Sequence, residues 1–189
     1  ILFLLHLLNN ILFDKVIRYI TIKSKVKKVG YMASDKEKIQ EKFEEFMFYI
    51  DDTLDEIRQK ASKQAYHLDM SLESLKDLAQ FVRENDVKND SENIDDFFNS
   101  WVYLGEVFRL QAKGAYWTVG IENPKNLNYG LEYLTGYNTI GSEFIPLLIM
   151  KNFTLSSPDR LNNNFFYELV LKRLNPKPIN LDHLLTEEG

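Results

Sequence analysis

Cysteine is absent from all 189 residues of the chain. That absence removes disulfides, thiolate nucleophiles and Cys-ligated zinc or iron–sulfur sites, and it fits the reducing cytoplasm better than a secreted setting. The triplets Asn89-Asp90-Ser91 and Asn152-Phe153-Thr154 would be glycosylation acceptors only in a secretory protein, so they carry no weight here. Histidine is nearly as scarce. His6, His67 and His183 lie far apart, and none forms a Glu-x-x-His or His-x-x-x-His helical pair, so no metal centre is expected.

Glycine is sparse too, and its spacing excludes further chemistry. No Gly-x-Gly-x-x-Gly unit follows a strand, and the Gly136 to Gly141 interval lacks the Lys-Ser/Thr of a phosphate-cradling loop. No Gly-x-Ser-x-Gly elbow supports a Ser-His-Asp triad, and Gly141-Ser142 reads as a turn. No cofactor is expected. Internal repeats and low-complexity tracts are missing as well, as is any Pro/Ser-rich linker within the body.

Long apolar runs are likewise few. The chain opens with "ILFLLHLLNNILF", but Asn9 and Asn10 interrupt the run, and Asp14, Lys15 and Arg18 follow before the roughly 20 residues that a membrane span needs. The basic residues come after the apolar run and no small-x-small pattern closes it, which argues against a secretory signal. Met32-Ala33-Ser34 resembles a natural start. Residues 1–31 are therefore read as a leader or upstream extension outside the fold. The rival is a membrane-surface helix with Ile11, Leu12, Val16 and Ile20 on one side, which would make the protein a membrane-associated accessory factor.

Charge is uneven along the chain. Residues 1–31 hold six Lys/Arg against Asp14 alone, or +5, so a total of −5 leaves −10 for residues 32–189. An acidic body disfavours nucleic acid and favours a basic protein or peptide as partner. Only Lys23 to Lys28 is basic enough for nucleic acid, and it lacks the aromatic platforms used on single strands.

Within the body, the pattern predicts α+β architecture: three N-terminal helices, a small antiparallel sheet, and one or two C-terminal helices packed on it. Ser34-Asp35-Lys36-Glu37 is a capping box, and Ile39, Phe43, Phe46, Met47, Ile50, Leu54 and Ile57 recur at helical spacing to about Ser62. Asp51, Asp52, Asp55 and Glu56 fall on its polar side and read as a solvated face. A second helix is expected from Ser71 to about Asn85 with Leu72, Leu75, Leu78, Ala79 and Val82 inward. Asp90 or Ser91 caps a third, whose Ile94, Phe97, Phe98, Trp101, Leu104, Gly105 and Phe108 form the stripe to near Gly114. "AYWTVGI" and "YGLEYLTGY" are rich in β-formers and flank a loop from Glu122 to Asn128. "SEFIPLLIMKNFTL" fits either helix or strand, with Leu and Met favouring helix and Pro146 in its first turn. A last helix capped by Ser157-Pro158 would turn Leu161, Phe165, Leu169 and Leu174 inward before Asn175-Pro176 stops it. The single domain so defined covers 32–175, with 176–189 a loose tail.

Tyr103 to Ile121 is the stretch with the most pronounced chemistry. Gly105 in the middle of an apolar stripe lets another backbone approach closely, which offsets its helix penalty of about 1 kcal/mol. Glu106 stands three residues before Arg109, so an ion pair at the margin of the stripe is expected. Should its carboxyl instead point under the sheet, a hydrolase or transferase using Glu106 in a helix/sheet cleft becomes the alternative. Tyr116 and Trp117 must take opposite faces of a strand, one buried and one available as a contact anchor.

The order Tyr103-Leu104-Gly105-Glu106 on a helix, Trp117 on a strand, then Phe144-Ile145-Pro146 leading into a further helix resembles a broad group of small bacterial domains of unknown function. Some of these are similar to immunity proteins of polymorphic toxin systems. The resemblance covers roughly residues 94 to 172, with Lys113-Gly114-Ala115-Tyr116 standing where paired glycines often precede the Trp. It implies a bacterial protein-binding role and brings no catalytic residues. Residues and resemblance together lead to a non-enzymatic, cytoplasmic partner of another protein, immunity-type or regulatory. Its candidate binding face is Tyr116, Glu132, Tyr133, Tyr137 and Asn138.

Overall fold

A computed structural model describes residues 34–90, 92–138, 141–156 and 162–175. The leader with its apolar run, the Lys23 to Lys28 cluster, the Ser91 and Ser157-Pro158 caps, Leu161 and the tail from 176 onward lie outside the described residues. The chain divides into two units, residues 1–37 and 38–189. Of the first, only residues 34–37 are described. There the Glu37 carboxylate accepts the Ser34 N–H at 2.6 Å and the Ser34 hydroxyl accepts the Glu37 N–H at 3.3 Å, the reciprocal pairing of a capping box.

The architecture is α+β as the pattern predicts. Three helices come first: α1 (Asp35–Ser62), α2 (Ser74–Glu84) and α3 (Ile94–Gln111). A two-stranded antiparallel ribbon follows, β1 (Tyr116–Val119) with β2 (Glu132–Thr135), and then α4 (Pro146–Leu155) and α5 (Phe165–Leu174).

At the centre stands α3. Every residue from Asn99 to Phe108 is buried, so it is enclosed all round rather than showing the single stripe expected, as a helix apolar on several faces can be. It packs against α2, α4, α5 and β2. In α1, Phe46, Ile50, Thr53, Ile57 and Ala61 are buried. Thr53 is hidden because its hydroxyl donates to the Tyr49 carbonyl at 2.9 Å, whereas Met47, placed in the stripe by spacing, turns to solvent. Phe46 reaches from α1 to stack on Trp101 with ring centres 5.4 Å apart. Glu56 accepts from Asn99 and Lys60 pairs with Asp96, so acidic and basic groups on the sides of α1 tie it to α3.

Several boundaries move inward for local reasons. α2 starts at Ser74 instead of Ser71 because the Ser71 hydroxyl accepts the Ser74 N–H at 3.1 Å and so acts before the helix. Phe81 joins its buried face. Ahead of α3, the Asp90 carboxylate accepts the N–H groups of Glu92 and Asn93 at 3.1 and 3.0 Å. On α5 the buried positions are Phe166 and Val170, with Phe165, Leu169 and Leu174 half-buried; the helix is turned about one residue from the expected stripe so that Phe166 lies 4.4 Å from the Phe153 ring. The ambiguous 144–155 stretch divides its roles. Phe144 bridges to Leu134 like a strand, and the helix begins at Pro146, where a missing N–H costs nothing.

No helix among the described residues is long and apolar enough to cross a membrane.

Candidate functional site

The joint between α3 and the ribbon is built from four consecutive residues of α3. Tyr103 is fully buried, and its hydroxyl bonds the Ser74 hydroxyl at 2.7 Å and accepts the Met70 N–H at 2.8 Å. Burial pushes its pKa up to about 12. Leu104 is fully buried beside it. Trp117 occupies the space that a side chain at Gly105 would need: a Cβ there would lie well inside van der Waals contact distance of the indole and 3.0 Å from Pro146 Cγ. Glu106 then accepts the Trp117 indole N–H at 2.5 Å and takes a bidentate grip from Arg109, with Arg109 Nε and Nη2 at 2.9 and 2.8 Å from its two oxygens.

Glu106 is 4% exposed. A carboxylate so placed requires pairing and hydrogen bonds to its charged form, and Arg109 and Trp117 supply both. The expected i, i+3 pair is present, with the Glu106 carboxylate buried at the helix/ribbon seam and the Arg109 side chain half-exposed at its margin. The seam leaves Glu106 with its acceptor oxygens engaged. A cleft of about 230 Å³ lined by Val82, Arg83, Asp86, Val87, Phe153, Thr154 and Ser156 includes neither Glu106 nor any ribbon residue.

Ribbon register sorts the candidate binding residues by face. Tyr116 pairs with Thr135, Trp117 with Leu134, Thr118 with Tyr133 and Val119 with Glu132. Trp117, Val119 and Leu134 are buried on the inner face, and Glu132 shares it at one end. Its carboxyl is half-buried, and loss of water pushes its pKa up, with its own backbone N–H and the charge of Lys42 opposing. Tyr116, Thr118, Tyr133 and Thr135 make up the outer face. Tyr116 is 57% exposed, and its ring covers Gly136, where a Cβ would come within 2.5 Å of the ring. Tyr133 is half-buried, which raises its pKa, and the nearby Glu143 charge and Tyr116 raise it further.

The other two candidates turn elsewhere. Tyr137 packs edge-on against Phe108 with ring centres 4.8 Å apart, and its buried hydroxyl has no hydrogen-bond partner among the described residues. Asn138 accepts the Ser142 N–H at 3.0 Å and so shapes the turn. The structure thus brings Tyr116 and Tyr133 together, puts Glu132 behind them, and gives Tyr137 and Asn138 to the loop. Thr118 and Thr135, not singled out from the sequence, complete the outer face; only the register, which pairs them with Tyr133 and Tyr116, identifies them.

Among the described residues no group of three or more His, Asp or Glu is placed to hold a metal ion. No family model matches the chain, and no curated protein and no solved structure does either.

Proposed function

We propose that this chain is a non-enzymatic protein-binding domain of the bacterial cytoplasm, an immunity-type or regulatory partner that presents the outer face of its ribbon to a basic protein. The observation that carries the reading is the pair Tyr116 and Tyr133, set diagonally across the ladder on that face, each opposite a threonine, over a buried inner layer. Tyrosines on a rigid support add contact area at little conformational cost and are frequent energetic anchors of interfaces. The net charge of −10 on residues 32–189 supports a cationic partner, because complementary fields speed encounter and disfavour acidic competitors. The likeness of the Tyr103 to Glu106 helix and the Trp117 strand to immunity-type domains points the same way. A hydrolase or transferase reading is less well supported, since Glu106 is engaged by Arg109 and Trp117. The membrane reading depends on residues 1–31.

The test uses the full chain as bait and a partner identified from the toxin or other gene adjacent to its own. Replacing Tyr116 and Tyr133 by Ala should weaken that complex at least tenfold, or about 1.4 kcal/mol, and abolish protection in co-expression, with far-UV circular dichroism and melting temperature unchanged. Equal affinity in a folded double variant would refute the binding face.

A further inference from the structure

The two edges of the ribbon differ. Leu134, opposite Trp117 in the ladder, donates its N–H to the Phe144 carbonyl at 2.8 Å and accepts the Phe144 N–H at 2.9 Å. Both Leu134 backbone groups therefore face away from β1. Because hydrogen-bonded and non-hydrogen-bonded pairs alternate along an antiparallel ladder, Trp117–Leu134 and Val119–Glu132 are the non-bonded pairs. Gly120 agrees with this parity, since its N–H reaches the Leu131 carbonyl at 3.1 Å. The N–H and C=O groups of Trp117 and Val119 must then point out of the side of β1 opposite β2. Among the described residues nothing pairs with these four groups.

Natural sheets blunt such an edge with lysine, proline, a bulge or a covering segment. β1 itself carries no lysine, proline or bulge. Tyr116-Trp117-Thr118-Val119 is four consecutive strong β-formers, and β2, by contrast, has its far edge closed by Phe144. The edge therefore offers two donors and two acceptors at strand spacing, beside the exposed ring of Tyr116. Strand addition is the mode of recognition that uses such groups, with the main chain supplying affinity and alternate side chains supplying selectivity. The charge of the molecule selects the occupant. A second copy would bring another body of net −10 against the first, whereas a cationic strand is attracted by the same field.

We propose that the free edge of β1 binds an extended basic segment of a partner protein by strand addition, the Trp117 and Val119 backbone groups pairing with it while Tyr116 and Thr118 flank its outward side chains. This rests on the ribbon being the binding face and names the chemistry of its partner.

The experiment is amide hydrogen exchange by NMR on the full chain. The probes are a capped peptide of alternating Lys with Thr or Val, its fully N-methylated twin, and a twin with Glu for Lys. In the free protein the Trp117 and Val119 amides should exchange at least tenfold faster than that of Thr118. Saturating basic peptide should slow both at least tenfold, and neither twin should. The proposal is overturned if the two amides are already protected in the free monomer, if the basic peptide leaves them unprotected, or if a concentration-dependent dimer protects them without peptide. The two readings fail separately. Unprotected amides together with a tenfold loss in the Tyr116/Tyr133 double variant remove the edge and keep the face. Protected amides with a partner indifferent to that variant remove the face and keep the edge.

Discussion

At Gly105 the space of a missing side chain is filled by Trp117, and Glu106, the next residue, hydrogen-bonds the same indole. One position supplies room and its neighbour supplies direction, which explains why a Gly-Glu pair on α3 and a Trp twelve residues further on belong to one device. Replacing Gly105 by Ala gains about 1 kcal/mol of helix propensity but drives a methyl towards Pro146 and into a ring held by Phe46 and Trp101. Overpacking of that kind costs about 1–3 kcal/mol, and because this ring has no free direction the upper end applies. A net loss of about 2 kcal/mol is expected from chemical denaturation, and an unchanged midpoint would disprove the notch. Tyr103 makes a second residue-scale prediction. Its folded pKa of about 12 exceeds the ordinary 10.0 through burial, so between these values the unfolded chain releases the proton first. The contribution to stability is complete below pH 10 and is lost as pH rises toward 12. Tyr66, hydrogen-bonded to Glu84, is also raised to about 12 and shares that window. Tyr103→Phe should therefore flatten, without abolishing, the alkaline fall in melting temperature. It should also cost about 1–3 kcal/mol at neutral pH by leaving the Ser74 hydroxyl and Met70 N–H without their partner; Met70 sits at φ +69°, a conformation that bond helps to hold.

Among the elements, the ribbon is the least self-sufficient, since two strands of four residues are marginal in water on their own. It persists because its inner face carries Trp117 onto α3 and because its open end is tied by glycines. Gly114 and Gly136 take φ of +85° and +84°, a region that residues with a Cβ enter only at a cost. Gly136 also leaves space for the Tyr116 ring. Gly136→Ala places a methyl 2.5 Å from that ring and 2.8 Å from the Gly114 carbonyl, so stability should fall by about 1–3 kcal/mol and Tyr116 should leave its seat. The check is a paired measurement of the denaturation midpoint and of partner affinity. Both should drop, whereas a loss of stability with unaltered affinity would show that the seat of Tyr116 is irrelevant to binding.

On the scale of the molecule, the acidic excess of residues 32–189 is a long-range property that no single contact expresses. At 0.15 M salt its reach is about 8 Å, so it steers encounter more than it tightens the final complex. Raising salt from 50 to 500 mM should lower the association rate with a basic partner at least fivefold while the dissociation rate changes less than twofold, as read by stopped-flow or surface plasmon resonance. A salt-independent association rate would remove charge from the account of partner choice.

Periodicity and caps were enough to order the helices and to locate the ribbon, because the Ser34–Glu37 box, the α1 and α2 stripes and the β-formers around Trp117 are local signals that short-range sterics and burial impose. The Glu106–Arg109 pair was equally legible. Other features depended on packing that no local window contains. Enclosure of α3 buried the Glu106 end of a pair that spacing put at the margin and gave Glu106 its second partner in Trp117. Register assigned Tyr116 and Tyr133 to one face and Glu132 to the other, since a shift of one residue would exchange the faces. The bond between Leu134 and Phe144 decided which backbone groups of β1 are left open, and that depends on where α4 returns the chain, a distance in space that sequence order does not encode.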